Sequence, residues 1–387
     1  MGHADDRVAG LPFFEPRHAD LAERIHAWCR ATGEGWAQPH EQDPDGIGVG
    51  ILRALAKDGW LGFLDPDADR ETQLAGDLRS VCLVREALAY ADDLADFAFS
   101  IQALAATPIR RFGAPVQQRQ YLPGLADGSL VGAFAVSEEN AGSDLAAIEL
   151  RAERTDAGYR LNGHKSWIAN GTIADVVCVL ARTGEGPGAL GLTAFLVPAT
   201  HVGGLVRERV SLMAPRSFAN LRFDDCLIPT DSVLGKPGGG YVVAMDVLER
   251  FRMTVGAAAV GFARRAADAA LARARTRPIY DGRLFDLATI KATLADIEVK
   301  LSAASLLVAR AAWEADRGSR HFSKHSSIAK LYATEAAQEI VDAALQIFGA
   351  AGLVHDSITE RLYRQVRSLR IYEGTSEIQR RIIAAAL

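Results

Sequence analysis

Near the C-terminus, Arg370-Ile371-Tyr372-Glu373-Gly374-Thr375-Ser376-Glu377-Ile378-Gln379 sets a carboxylate directly before a glycine, two hydroxyl residues and an apolar run of Ile378, Ile382 and Ile383. Thr375 or Ser376 can cap a helix N-terminus, and Ser376 with Gln379 spells a capping box. Glu373 then stands just ahead of a helix, on a turn loosened by Gly374, where its carboxylate can project into a cleft. A solvated loop glutamate before a capped helix is the other reading. A second stretch, Phe134–Asp144 (FAVSEENAGSD), offers serine hydroxyls and successive backbone N–H groups, with Gly142 allowing close approach. Such a turn can cradle a flat polar ring edge and a pyrophosphate, or be a polar loop in which Asp144 caps a short helix. In Lys165–Gly171 (KSWIANG), Trp167 is either a core aromatic or the wall of an aromatic cofactor.

The rest of the composition narrows the classes. A net charge of −5 over 387 residues leaves no basic surplus to neutralise phosphates, which argues against nucleic acid as the main partner. Cys29, Cys82, Cys178 and Cys226 form no CxxC pair and read as buried reduced thiols. His321 and His325 have HxxxH spacing without the HExxH glutamate, so a solvated helix start is expected and no metal site. No basic-then-apolar leader and no membrane-length apolar span stand out, and a cytoplasmic protein is expected.

The elements that must position these residues fall into three stretches: 1–128 helical, 129–237 β-rich, 238–387 helical. From about Ala19 to Leu125 the pattern is helical, with Val81 to Ala98 reading as one long apolar helix and Asp65-Pro66-Asp67 as punctuation. Leu130–Val136 is an apolar strand candidate, and Ile148, Leu150 and Ala152 alternate with charged residues. Asp156-Ala157-Gly158 and Asn162-Gly163 read as turns. Further short strands at Val176–Leu180, Leu192–Val197, Leu205–Val210 and Leu221–Phe223 predict an antiparallel barrel or sandwich. After Pro237–Gly240 helix returns. Ile290, Leu294, Ile297, Leu301 and Val308 mark one stripe; Ile328, Leu331, Tyr332, Ala336 and Ile340 mark another, with Gly349 as a C-cap. Four long helices in an antiparallel bundle are expected.

On FAVSEENAGSD, KSWIANG and RIYEGTSEIQ together the chain resembles the acyl-CoA dehydrogenase family along nearly its whole length. Leu221–Pro229 (LRFDDCLIP), Leu234–Met245 (LGKPGGGYVVAM), Gln346–Gly349 (QIFG) and Glu360–Arg364 (ERLYR) add to the likeness. The resemblance implies an N-terminal helical domain, a middle β domain and a C-terminal four-helix bundle. It also implies FAD-dependent α,β-dehydrogenation of an acyl thioester. An α C–H beside a thioester is too weak an acid for a free carboxylate, so donors must hold the carbonyl oxygen as the enolate develops. In the family these are a flavin ribityl hydroxyl and the backbone N–H of the catalytic glutamate. Here that is Glu373, with partial desolvation raising its pKa. Matching Arg252 and Gly261 to the family puts its alternative base position at Phe251, which cannot take a proton. Glu249, Arg252 and Gly374 match the thioester end of the substrate site, although an exposed i,i+3 ion pair would also account for Glu249 and Arg252.

The matched FAD positions are Phe134, Val136, Ser137, Ser143, Trp167 and Ala169, with Thr375 and Glu377 at the second signature. Arg277, Tyr280, Gln346 and Gly349 would reach the FAD of a neighbouring subunit, implying a homodimer or tetramer. The implied partners are an acyl-CoA or acyl-carrier-protein thioester and electron-transfer flavoprotein or another electron acceptor. Several positions depart from the pattern. Ala169 replaces a Thr or Ser near flavin N5, Asp281 a Gly, Ala288 a Gln, Ala350 a Gly and Glu139 a Pro. These changes predict a weaker or altered hold on FAD. They leave room for a carrier-protein dehydrogenase, a flavin monooxygenase or a binding protein on the same fold. The retained Glu373 speaks against the last two.

Overall fold

The computed structural model describes Val8 and residues 10–33, 42–65, 77–200 and 202–387. Pro66 and Asp67, read as punctuation, lie outside the described residues. Helices α1 (Pro16–Thr32) and α2 (Pro44–Lys57) both begin on a proline, where the missing N–H costs no helical bond. Asp77 caps α3 (Leu78–Ala91) by accepting the Ser80 N–H. Next come α4 (Asp93–Phe112) and α5 (Pro115–Ala126). The single helix expected over 81–98 is therefore two. Asp92 is extended (φ −158°, ψ 138°), and its carboxylate accepts the Leu94 and Ala95 N–H groups. That acidic residue ends one helix and starts the next.

The strands are β1 (Gly132–Ala135), β2 (Arg151–Thr155), β3 (Gly158–Ala169), β4 (Val176–Arg182), β5 (Leu192–Pro198), β6 (Leu205–Arg209), β7 (Phe218–Ile228) and β8 (Val233–Leu234). They form one sheet in the order β6-β7-β3-β2-β4-β5-β8, mostly antiparallel, with β1 parallel to β4. Asn162-Gly163 is not a turn. It lies inside β3, where the pairing with β7 slips between Leu161 and Gly163 and Gly163 takes φ 137°. An Asn-Gly pair serves a bulge as readily as a hairpin, because both need a residue free of Cβ restraint.

Helix α6 (Gly240–Thr276) leads through the hairpin β9 (Pro278–Ile279) and β10 (Gly282–Arg283) to α7 (Ala288–Asp316) and α8 (Phe322–Phe348). Gly349 ends α8 at φ 63°. Two shorter helices, α9 (Ile358–Leu369) and α10 (Ser376–Ala385), both pack on α8. Of the expected stripe on α8, Ala336 and Ile340 are buried, while Ile328 and Leu331 are only partly so and the buried face centres on smaller residues. Ala329, Lys330, Ala333, Ala337, Ile340 and Val341 are inside, whereas Tyr332 is exposed. Small residues face the core because α6 passes close by. At Gly261 on α6 a β-carbon would meet the Glu86 carbonyl oxygen at 2.2 Å, so the backbones of α3 and α6 approach each other this closely only because the residue is glycine.

The chain divides into two compact units, residues 1–38, 77–96 and 249–387 in one and 39–76 and 97–248 in the other. The first, helical, has a core rich in alanine around Val260, Phe262 and Leu301. The second carries the sheet, with Leu161, Val179, Phe195 and Leu221 at its centre and Tyr159 edge-on to Phe195 at 4.9 Å.

Candidate active site

In the helical unit the turn between α9 and α10 places Glu373 in the left-handed region (φ 54°), followed by Gly374 at φ 91°. A bulky residue there needs support from outside the turn. The support comes from two buried polar side chains. Lys330 of α8 donates from Nζ to the carbonyl oxygen of Tyr372 (2.8 Å) and to that of Gly374. Gln379 of α10 donates to the Gly374 carbonyl (2.8 Å) and to that of Glu373 (3.3 Å). A β-carbon on Gly374 would lie 2.7 Å from Gln379 Nε2, so this position needs glycine for its φ and for its space. Thr375 is the cap, accepting the Ile378 N–H. The Ser376–Gln379 capping box does not form: Ser376 is already helical and donates to Glu335 (2.6 Å), while Gln379 turns back to the carbonyls.

With its backbone so fixed, Glu373 is partly enclosed. Its Oε2 is fully buried and has no hydrogen-bond partner. Burial drives its pKa up; Arg85, Lys330 and Arg252 pull it back, and Asp96 pushes in the same sense as burial. Arg85 is fully buried, but its guanidinium is committed elsewhere. It holds both oxygens of Asp96 (2.8 and 2.9 Å) and donates to Thr254 Oγ1 (2.8 Å). The carboxylate thus sits in a positive field without a bond that would neutralise it. Arg252 is itself buried (3 % exposed), so the exposed-pair reading with Glu249 does not hold. Glu249 is half-buried, and its backbone oxygen accepts from Ser326 (2.8 Å). Phe251 is buried.

In the β unit, Phe134 lies in β1, and Val136 and Ser137 follow its end and are tied to β3. The Ser166 N–H donates to the Ser137 carbonyl (2.9 Å). Fully buried Lys165 donates to the Val136 carbonyl (2.9 Å) and to Glu138 (2.8 Å). The Glu138 carboxylate also accepts the Glu149 and Leu150 N–H groups. On this anchored base, Ser143 is exposed, and no atom lies within 4 Å of where a Gly142 β-carbon would stand. Asp144 caps the short helix at Leu145–Ala147. Trp167 is not a core aromatic. The pairing of β3 with β7 slips between Lys165 and Ile168, Trp167 takes φ 57°, and the residue is 48 % exposed. An open glycine shelf and an outward indole beside half-buried Ala169 fit a flat aromatic ring such as a flavin.

A third group gathers at the far end of the helical bundle. Arg277 follows α6, and Tyr280 (89 % exposed, φ 49°) tips the β9–β10 hairpin. Arg273 lies over the Phe348 ring at 5.6 Å, which brings this end of α6 to exposed Gln346 and Gly349. Lys330 and Gln346 are separated by about 24 Å along α8 at 1.5 Å per residue, so within one chain this group is remote from Glu373. Thr375 and exposed Glu377 belong to the Glu373 turn instead. Sequence reasoning missed Lys330, Arg85, Asp96 and Glu138. A charged residue inside an apolar-periodic helix was the available signal for the first two.

Residues 15–129, 133–226 and 238–387 match the N-terminal, middle and C-terminal domains of acyl-CoA dehydrogenase. Short-chain specific acyl-CoA dehydrogenase from Mus musculus is 37 % identical over 370 residues, 94 % of this chain and 89 % of the relative. Butyryl-CoA dehydrogenase from Megasphaera elsdenii superposes with a TM-score of 0.87 at 30 % identity, covering 95 % of this chain and 98 % of the other. The prolyl acyl carrier protein oxidase AnaB superposes with a TM-score of 0.87 at 25 % identity, over 96 % and 99 % of the two chains.

Proposed function

The chain belongs to the acyl-CoA dehydrogenase family, flavoprotein oxidoreductases of CH–CH bonds, and from that premise we propose that it carries FAD and dehydrogenates an acyl thioester, with Glu373 as the base. The observation that carries this reading is the enclosed, unbonded Oε2 of Glu373 in a field of three cations. A carboxylate so placed is raised in basicity by burial, yet remains free of a partner that would have to be displaced before it took a proton. Glu373 removes the α-proton of the thioester. Its own backbone N–H, in the left-handed turn, is the chain's donor for the thioester oxygen. Phe251 offers no proton acceptor at the family's alternative base position on α6, and Glu249 and Arg252 order the thioester end. Bound FAD supplies the acceptor for the β-hydride. Phe134, Val136, Ser137, Ser143, Trp167 and Ala169 hold it, with Thr375 and Glu377 at the Glu373 turn. Arg277, Tyr280, Gln346 and Gly349 serve the FAD of a second copy, in a dimer or tetramer. Electron-transfer flavoprotein or another acceptor would reoxidise it.

The thioester handle has a second reading, a carrier protein, supported by the likeness to the prolyl acyl carrier protein oxidase. The test of both is the visible spectrum of FAD-loaded protein titrated with acyl-CoA and acyl-carrier-protein thioesters. Bleaching by one class names the handle. A protein that stays colourless after excess FAD overturns the dehydrogenase reading. Near-normal bleaching by Glu373→Gln beside an inactive Glu249→Gln would move the base to α6.

A further inference from the structure

We propose that Lys330 is a positioning residue for the base: its ammonium clamps the carbonyls on either side of Glu373 and supplies the counter-charge that keeps the carboxylate ionisable. The proposal rests on the reading of Glu373 as the base.

Lys330 is completely buried, and its hydrogen bonds go to the Tyr372 and Gly374 carbonyl oxygens, the two that flank Glu373. A buried ammonium is costly, and a helix that needed only packing at this point would be better served by an apolar residue. What the charge secures is a left-handed glutamate between two fixed peptide planes. With Tyr372 and Gly374 tethered, Glu373 cannot relax to a right-handed conformation without breaking a bond to a buried cation. Gln379 adds uncharged donors on the other side.

The electrostatics run alongside the geometry. The charged groups facing Glu373 are Arg85 from α3, Arg252 from α6, Lys330 from α8 and Asp96 from α4. Those facing Lys330 are Glu373, Arg252, Glu335 and Glu377. Arg85 already shares its charge with Asp96 through two hydrogen bonds. Lys330 instead bonds to neutral carbonyls, and among the described residues it has no carboxylate of its own at hydrogen-bond distance. Its positive charge is therefore left to act on Glu373. Burial lowers the Lys330 pKa and raises that of Glu373, and each partially offsets the other's shift.

The experiment reads proton removal apart from hydride transfer. FAD-loaded protein is given a 3-thiaacyl-CoA, whose β position is sulfur and has no hydride to lose, in D2O. Mass spectrometry follows exchange of its α-hydrogens: the proton passes to the Glu373 carboxylate, equilibrates with solvent, and a deuteron returns. Lys330→Met should slow exchange by about 10²-fold, the scale of an ångström-sized misplacement, with the ligand still bound. Without the cation the carboxylate holds its proton more tightly, so the pH midpoint of exchange should rise by about one unit or more. Lys330→Arg, which restores charge and donors, should bring the midpoint back. If Lys330→Met does not fold, Lys330→Gln, polar but uncharged, is read by the same shift. Exchange within about twofold of the parent, or slow exchange with an unmoved midpoint, overturns the proposal. Glu373→Gln keeps the two readings apart. If it still exchanges, the base assignment has failed. If it is dead while Lys330→Met is normal, only the role of Lys330 has.

Discussion

Each unit of the molecule buries a lysine near a glutamate, and the two pairs are wired in opposite ways. In the β unit Lys165 meets Glu138 directly at 2.8 Å, and the carboxylate is completed by two backbone N–H groups. In the helical unit Lys330 spends its hydrogen bonds on carbonyls, and Glu373 Oε2 is left with none. The first arrangement closes a charge into the scaffold and fixes the loop that follows β1. The second holds the backbone rigid and leaves the carboxylate available. Satisfied buried charge builds a frame, and an unbonded buried carboxylate is a candidate for chemistry.

The largest effect should come from exchanging the two glutamates for glutamine. With Glu373 as the proposed base, Glu373→Gln should lower turnover by at least about 10²–10⁴-fold, measured by stopped-flow flavin reduction. The same variant should be slightly more stable. Because the folded-state pKa of Glu373 is raised, the native state binds more protons than the unfolded chain between the two values, and stability falls as pH rises through that window. Above that window the ionised group opposes folding, so the variant should gain stability over the parent there, read by urea unfolding. Glu138→Gln should retain turnover in whatever fraction folds but lose stability. A catalytically dead Glu138→Gln with full stability would erase the contrast.

Next in size is Lys165→Met, which leaves Glu138 buried without its cation and should cost about 3–5 kcal/mol. Burial holds the Lys165 ammonium down at about 8 despite the Glu138 contact, which opposes the shift without overcoming it. The unfolded chain, with an ordinary lysine, binds more protons above that value. The contribution of Lys165 to stability should therefore rise with pH from about 8 to about 10.4 in the parent and vanish in Lys165→Met. Urea midpoints of both proteins across that range check it; identical pH slopes would place Lys165 among the neutral scaffold groups.

Much of this was legible from sequence, and what escaped did so for definable reasons. The helix–sheet–helix order, the in-and-out alternation of Ile148, Leu150 and Ala152 and Gly349 as a helix end all follow from local periodicity and turn chemistry, although β2 itself starts only at Arg151. Trp167 was ambiguous because a strand tryptophan is normally inward; only the slip in pairing turns it out. Asp92 was hidden in an apolar run whose periodicity continues on both sides of the break. The buried face of α8 was only partly placed, at Ala336 and Ile340, because alanine contributes little to an apolar stripe although it permits close helix contact. Arg85, Asp96 and Lys330 escaped altogether. Nearly three hundred residues of chain lie between Arg85 and Glu373, and no local pattern relates them.

A smaller effect should come from the exposed group at the far end of the bundle. Tyr280 holds a left-handed conformation while almost fully exposed, which has a backbone cost. If Arg277 beside it serves the FAD diphosphate of a second copy, Arg277→Ala should weaken FAD binding about tenfold and loosen assembly with it, since a ligand at an interface is linked to association. Gel filtration with flavin absorbance reads both. Unchanged FAD affinity would return Arg277 to an ordinary surface charge.

The smallest effect should come from Ala169→Thr, which tests whether the two regions act independently. The resemblance to the family puts a Thr or Ser hydroxyl near flavin N5 at this position, and alanine has nothing to offer there. Ala169 ends β3 opposite Phe218 of β7 and is only half-buried, so a β-branched residue suits the strand and its hydroxyl has room. One added hydrogen bond is worth about 0.5–1.5 kcal/mol, which corresponds to roughly two- to tenfold tighter FAD binding. Alanines at 288 and 350 and the aspartate at 281 would keep the hold below that of a chain with the full pattern. Ala169 belongs to the β unit and Lys330, Arg252 and Arg85 to the helical one, so the pH midpoint of α-proton exchange should stay where the parent has it. Equilibrium titration of the apoprotein with FAD and the exchange profile are the paired measurements. Tighter FAD with an unmoved midpoint separates a flavin-holding region from a base-holding one. A midpoint that moves with the substitution would mean that the basicity of Glu373 is set from the β unit as well, and the division between frame and chemistry would have to be redrawn.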